Sequence, residues 1–151
     1  MNDRDLGWLE GLIDGEGSLC LGKHKNSECT KGFTLAPTLS VASTDIRILN
    51  RAKEMTGLGS ISKLHSGNEK WSPAFQWRVT SNGLRRLLPT VRLTSKERQR
   101  TLLIEFLALV RVGGLPKDNK GRYIFNSNWD RMLKIWREMK SLNRRGPKRK
   151  F

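Results

Sequence analysis

The sequence predicts an α+β fold in the order αββαββα, an antiparallel sheet with helices packed against one of its faces. Three observations predict it. The apolar spacing begins helical, switches to a period of two at Ser18, and runs through that cycle a second time. The alternating stretches have one apolar and one polar side, as a sheet covered on one face requires. No strand–helix–strand step demands a parallel crossover.

Asp3 is the expected N-cap of the first helix, whose Leu6, Leu9, Leu12 and Ile13 fall at helical spacing. Gly7 and Gly11 stand one turn apart. A helical glycine costs about 1 kcal/mol against alanine, so close approach of a second helix is the expected reason for the pair. Gly15 and Gly17 are expected to end the helix, by entropy and by admitting positive φ. Leu19 and Leu21 then alternate with Ser18, Cys20, Gly22 and His24. Leu35, Leu39 and Val41 alternate with Thr34, Thr38 and Ser40, with a turn around Gly32 between the two strands. Pro37 predicts an edge position or a bulge.

Thr44 or Asp45 caps a second helix carrying Ile46, Leu49, Ala52 and Met55, ended by Gly57. A third strand runs from Gly59 to Leu64, with Ile61 inward. A turn at Ser66-Gly67-Asn68 leads to a fourth strand, Ala74 to Thr80, with Phe75, Trp77 and Val79 on one side and Gln76, Arg78 and Thr80 on the other. A short helix from Asn82 stops at Pro89. A long one is expected from Thr94 to Val112, broken by Gly113-Gly114-Leu115-Pro116. A last helix, Asn128 to Leu142, carries Trp129, Leu133 and Trp136. Residues 1–143 are read as one domain and 144–151 as a basic tail too charged to pack.

Lys and Arg total 29 against 14 Asp and Glu, a net charge of +15 on 151 residues. Such an imbalance points to a nucleic-acid partner rather than a neutral small molecule. Cys20 and Cys29 have neither zinc nor disulfide-framework spacing, and both read as reduced thiols inside a cell. No signal peptide is visible, and the longest apolar stretch, Leu102 to Val110, is too short to span a bilayer. The expected location is therefore intracellular, in cytoplasm, nucleoid or organelle matrix, with no membrane partner.

Against this basic background, Asp14 and Glu16 lie between glycines at the end of an apolar helix. Carboxylates on a basic protein suit a hard metal ion beside a polyanion. Residues 9–17, Leu9-Glu10-Gly11-Leu12-Ile13-Asp14-Gly15-Glu16-Gly17, resemble the signature of the LAGLIDADG homing endonucleases, with Gly15 keeping a small residue in register and departures at Glu10 for Ala and Glu16 for Asp. The element order is similar to that family's as well.

The resemblance implies a site-specific DNA endonuclease that hydrolyses phosphodiesters across the minor groove and leaves 3′ overhangs. It places Glu16, with the Gly15 carbonyl, as the Mg²⁺ ligands; Mn²⁺ or Ca²⁺ can take the same oxygens, Ca²⁺ without cleavage. It assigns Lys96 as the cation at the scissile phosphate, with Arg98 the second candidate. Ser43 falls where the family often has a water-positioning Gln, and Arg47 is a further candidate cation. The polar sheet face, with Cys20, Gly22, His24, Asn26, Thr34, Thr38, Ser40, Ser62, Gln76, Arg78 and Thr80, is the expected DNA-binding surface, since a β-ribbon fits the major groove. Arg85, Arg86, Arg92, Lys117, Lys120 and the tail are expected phosphate contacts. One copy of the motif implies a homodimer joined through Gly7, Trp8, Gly11 and Leu12, acting on a near-palindromic intron-insertion target of roughly two duplex turns. The alternative is a catalytically silent binder on the same scaffold, an intron RNA maturase or a transcription regulator, so intron RNA is a further candidate partner. A basic structural protein explains the charge but not the glycine–acid turn.

Overall fold

The computed structural model describes residues 1–65, 70–110, 117–122, 124 and 128–144. The elements run α1 (Asp3–Glu16), β1 (Gly17–Lys25), β2 (Phe33–Ser43), α2 (Ile46–Thr56), β3 (Ser60–Leu64), β4 (Ala74–Val79), α3 (Ser81–Leu87), α4 (Glu97–Leu109) and α5 (Trp129–Leu142). The four strands form one antiparallel sheet in the order β1-β2-β4-β3. The expected α+β architecture is present, and the helices cover a single face of the sheet.

The core follows from the alternation. Leu19 and Leu21 of β1, Leu39 and Val41 of β2, and Trp77 and Val79 of β4 point to the covered side and are buried. Leu9 and Ile13 of α1, Leu49 and Ala52 of α2, and the leucines of α3 and α4 close over them. Trp77 is fully buried, and its indole N–H donates to the Leu58 carbonyl at 2.9 Å, so its one polar atom is satisfied. Pro37 sits in β2 beyond the last residue paired with β4, Leu39, so its missing N–H falls on a stretch with one open side.

Several boundaries differ from expectation. Asn2, not Asp3, caps α1, accepting the Asp5 N–H at 2.8 Å. Gly15 remains inside the helix, which runs through Glu16 directly into β1. Gly17 ends it with φ −79° and ψ 156°, so positive φ is not its role. Its role is close approach: a Cβ there would lie 2.6 Å from the Ile13 carbonyl oxygen. Asp45 caps α2 and Gly57 closes it in the left-handed region at φ 66°, both as expected. The expected helix from Thr94 begins at Glu97, because the preceding backbone is held by side chains rather than by helical bonds. In α5 the buried residues are Trp129, Met132, Ile135 and Met139; Leu133 and Trp136 flank them, half-buried. The expected turns at Ser66-Gly67-Asn68 and Gly113-Gly114-Leu115-Pro116, and the tail beyond Arg144, lie outside the described residues. Among the described residues no helix is long and apolar enough to cross a membrane.

Candidate active site and DNA-facing sheet

The site is built where α1 ends. Its last turn contains no basic residue, and its C-terminal carbonyls have no partner within the helix. Lys96, far along the chain, fills that place: its Nζ donates to the Asp14 carbonyl oxygen. A cation at a helix C-terminus is favoured by the helix dipole. The Asp14 carboxylate in turn accepts the Thr94 N–H at 2.8 Å, the Ser95 N–H at 3.1 Å, the Ser95 hydroxyl at 3.0 Å and the Lys96 N–H at 3.3 Å. Burial acts to raise the Asp14 carboxyl, but these donors outweigh it and hold the group below its ordinary value. Asp14 therefore anchors the turn that carries Lys96, a role the motif left open.

Glu16 is different. It is exposed, and among the described residues its side chain makes no hydrogen bond or ion pair. A carboxylate at a helix C-terminus is unfavourable for the dipole, so local stability does not account for it. Glu16 shares a surface depression with Leu12, Ala42, Ser43, Thr44 and Ile48. The structure thus brings Glu16 and Ser43 together on one side of the helix end and places Lys96 against the other.

Ser43 and Arg47 are more engaged locally than expected. The register pairs Ser43 with Phe75, on the helix-covered side of the sheet, and the Ser43 hydroxyl accepts the Asp45 N–H at 3.0 Å. Its length and this bond make it a cap of the strand-to-helix turn. Arg47 grips Asp45 through Nε at 2.9 Å and Nη2 at 2.8 Å, with its side chain 87% exposed. Arg98 is bonded to Glu138 at 2.7 Å. Arg85 is not a surface phosphate contact: half-buried, it donates to the Leu107 and Val110 carbonyls at 2.6 and 2.9 Å and closes the end of α4.

A divalent ion needs oxygen ligands, and Mg²⁺ is commonly held by one or two carboxylates together with substrate phosphate. The unclaimed Glu16 carboxylate and the adjacent Gly15 carbonyl suit that donor set. Among the described residues no group of three or more His, Cys, Asp or Glu comes together, so one chain offers part of a site rather than a closed cage.

The open face of the sheet carries the expected residues in register. Ser18, Ser40, Arg78 and Ser60 form one row across all four strands. Ala42, Gln76 and Ser62 form the next, and Cys20–Thr38, Gly22–Ala36 and His24–Thr34 extend the face along the β1–β2 hairpin. Ser18, Ser60 and the small Ala36 and Ala42 belong to this face and were not among the expected DNA-facing residues; Ala36 and Ala42 continue the two-residue period of Thr34, Thr38 and Ser40. Two expected residues lie off the strands. Asn26 shapes the hairpin loop, its side-chain oxygen accepting the Glu28 N–H at 2.9 Å. Thr80 is exposed at the start of α3. Cys29 is buried beneath the hairpin loop, whereas Cys20 is half-buried, and both are free thiols.

On α1, Gly7, Gly11 and Gly15 form one exposed stripe, with no atom within 4 Å of a Cβ built at any of them. Leu12 is half-buried. Trp8, expected at the dimer contact, is half-buried and stacks under the Arg51 guanidinium of its own chain at 4.2 Å.

A helix presenting an unclaimed carboxylate beside a polar four-stranded sheet is a scaffold on which a hydrolytic centre and duplex DNA can meet. The model of the LAGLIDADG endonuclease family matches residues 9–89, and the chain belongs to that family. Among solved structures it is similar to the archaeal intron-encoded homing endonuclease I-Vdi141I complexed with DNA, at 21% identity and TM-score 0.75 over 99% of this chain and 90% of that one. It is similar to the homing endonuclease I-CvuI in complex with the I-CreI target, at 18% identity and TM-score 0.66, covering 99% and 89%. It is also similar to the I-SmaMI LAGLIDADG homing endonuclease bound to cleaved DNA, at 27% identity and TM-score 0.64; it covers 94% of this chain but only 45% of I-SmaMI. No curated protein sequence matches the chain. The family and these structures favour a site-specific DNA endonuclease over the catalytically silent binder.

Proposed function

We propose that this chain acts as a homodimer that makes Mg²⁺-dependent double-strand breaks at a near-palindromic intron-insertion site inside the cell. The observation that carries it is the exposed Glu16 carboxylate, free of protein partners among the described residues, at the end of a helix whose glycine stripe is open. A second copy of α1 against Gly7, Gly11 and Gly15 sets the two Glu16 side chains near the symmetry axis. Leu12 lines this contact and Trp8 flanks it.

When bound, the divalent ion supplies an activated water and neutralises charge on the phosphate undergoing attack. Glu16 and the Gly15 carbonyl would hold it. Lys96, fixed against the end of α1, offers its ammonium to the scissile phosphate. Rows led by Ser40, Arg78, Gln76 and Ser62 face base edges in the major groove, and Arg86, Arg92, Lys117 and Lys120 contact phosphates and add affinity without sequence choice.

The test uses a plasmid carrying the uninterrupted sequence that flanks this gene's own insertion point. With Mg²⁺ the wild-type protein linearises it, whereas Glu16→Gln binds the same duplex in Ca²⁺ with unchanged affinity and does not cut. Normal cutting by Glu16→Gln would overturn the metal assignment. Tight binding without strand breaks by the wild type would instead favour a silent binder, and a monomer by sedimentation on the duplex would overturn the dimer.

A further inference from the structure

The residues 92–96 that precede α4 have neither helical nor strand pairing, yet five consecutive backbone N–H groups are satisfied by carboxylates. Arg92 N–H donates to Glu10 Oε1 at 2.8 Å, Leu93 N–H to Glu97 Oε2 at 3.0 Å, and Thr94, Ser95 and Lys96 N–H to Asp14. Glu97 is itself held by Arg100 at 2.7 Å, and Arg100 donates to the Leu88 carbonyl at 2.8 Å, tying down the start of the segment. Glu10 and Asp14 are four residues apart, on one side of α1. Helix α1 therefore holds the Lys96-bearing segment at two points one turn apart.

Glu10 is also one of the positions at which the chain departs from the family signature, which has alanine there. Alanine has no acceptor and could not reach the Arg92 N–H. We propose that Glu10 is a positioning residue: with Asp14 it forms a two-point clamp that fixes the approach of segment 92–96 to α1 and so sets Lys96 against the end of the helix. One point, at Asp14, leaves the segment able to pivot; the second, at Glu10, removes that freedom. This inference rests on the cleavage reading for the purpose of Lys96, but the clamp has a readout of its own.

The first measurement needs no DNA. In the free protein, Glu10→Ala raises amide hydrogen exchange at residues 92–96 and acetylation of the Lys96 amine by acetic anhydride about fivefold each, the weight of one net hydrogen bond. Glu10→Gln, whose amide oxygen still accepts the Arg92 N–H, restores both. Glu10 is half-buried and a single hydrogen bond is lost, so the melting temperature of Glu10→Ala falls by only about 2–5 °C and the protein stays folded. The clamp is overturned if a folded Glu10→Ala protein shows unchanged exchange and unchanged Lys96 labelling, or if Glu10→Gln behaves like Glu10→Ala.

The second measurement is a double-mutant cycle on the plasmid described above. Glu10→Ala slows single-turnover cleavage about fivefold to tenfold, with unchanged duplex affinity, and has no further effect in a Lys96→Met background. Equal slowing in both backgrounds would show that Glu10 does not act through Lys96 and would overturn the proposal. A wild-type protein that never cuts sinks the cleavage reading alone; exchange and labelling then still decide the clamp.

Discussion

The two cationic side chains assigned around the end of α1 are held in opposite ways. Lys96 reaches the Asp14 carbonyl across 82 residues of sequence, on a segment fixed by three carboxylates. Arg47 is paired with Asp45, two residues away, and is almost wholly exposed. An exposed pair of this kind contributes little to stability and exchanges readily. The difference separates a group fixed by the fold from one free to reorient at the surface. Electrostatic help to a transition state is strongest from groups that need not reorganise, so on the proposed function Lys96 is the more consequential of the two.

The largest expected effect tests that ranking directly. Lys96→Met should lower single-turnover cleavage by about 10²–10³, the range for removing one preorganised transition-state contact, with duplex affinity little changed. A loss of less than threefold would break the comparison, since preorganisation would then have no catalytic consequence.

Gly17→Ala addresses the joint at which α1, carrying Asp14 and Glu16, passes into β1. Its Cβ would lie 2.6 Å from the Ile13 carbonyl oxygen and 3.0 Å from the Ile13 Cα, so the joint between α1 and β1 must shift. Chemical denaturation should show a loss of about 1–3 kcal/mol. Unchanged stability would mean that the joint yields freely and cannot be what fixes Glu16 relative to Lys96.

Arg47→Ala should change cleavage by no more than about fivefold, in line with an exposed ion pair. A loss as large as that of Lys96→Met would show that Arg47 leaves Asp45 to take up an equal place at the bound phosphate.

The smallest effect is a titration. The Asp45 carboxyl lies below its ordinary value, held there by the side-chain and backbone hydrogen bonds from Arg47. A depressed acid contributes its stabilisation above its unfolded pKa, near 3.9, and loses it as pH falls through the lower folded value. Carboxyl ¹³C shifts should therefore show Asp45 titrating below an ordinary aspartate, and moving upward in Arg47→Ala. No movement would mean that the two side chains do not hold one another in solution.

How much of this was legible beforehand depends on the range of each interaction. The alternation of Leu19, Leu21, Leu39, Val41, Trp77 and Val79 marked the covered face, and its polar complement marked the open one. The caps at Asp45 and Gly57 were legible because a cap is a local bargain between neighbouring residues and the backbone they terminate. Ser60, Ala36 and Ala42 share the two-residue period of Ser62, Thr34, Thr38 and Ser40, so their face was legible too; their neighbours, Arg78, Gly22 and Gln76, were not, because register depends on the partner strands. Arg85 read as a surface cation because nothing in its neighbourhood announces the α4 carbonyls it closes. The loop-shaping bond of Asn26, by contrast, is local, and an asparagine at a hairpin end is a familiar residue for it.

By itself the sequence determined the family signature, the order of the elements and the faces of the strands, because these follow from side-chain type and spacing along the chain. Tertiary structure alone decided what Glu10 and Asp14 do. Their partners are backbone N–H groups some 80 residues away, and a backbone N–H is the same at every residue except proline, so no side-chain pattern can reveal which acid will meet it.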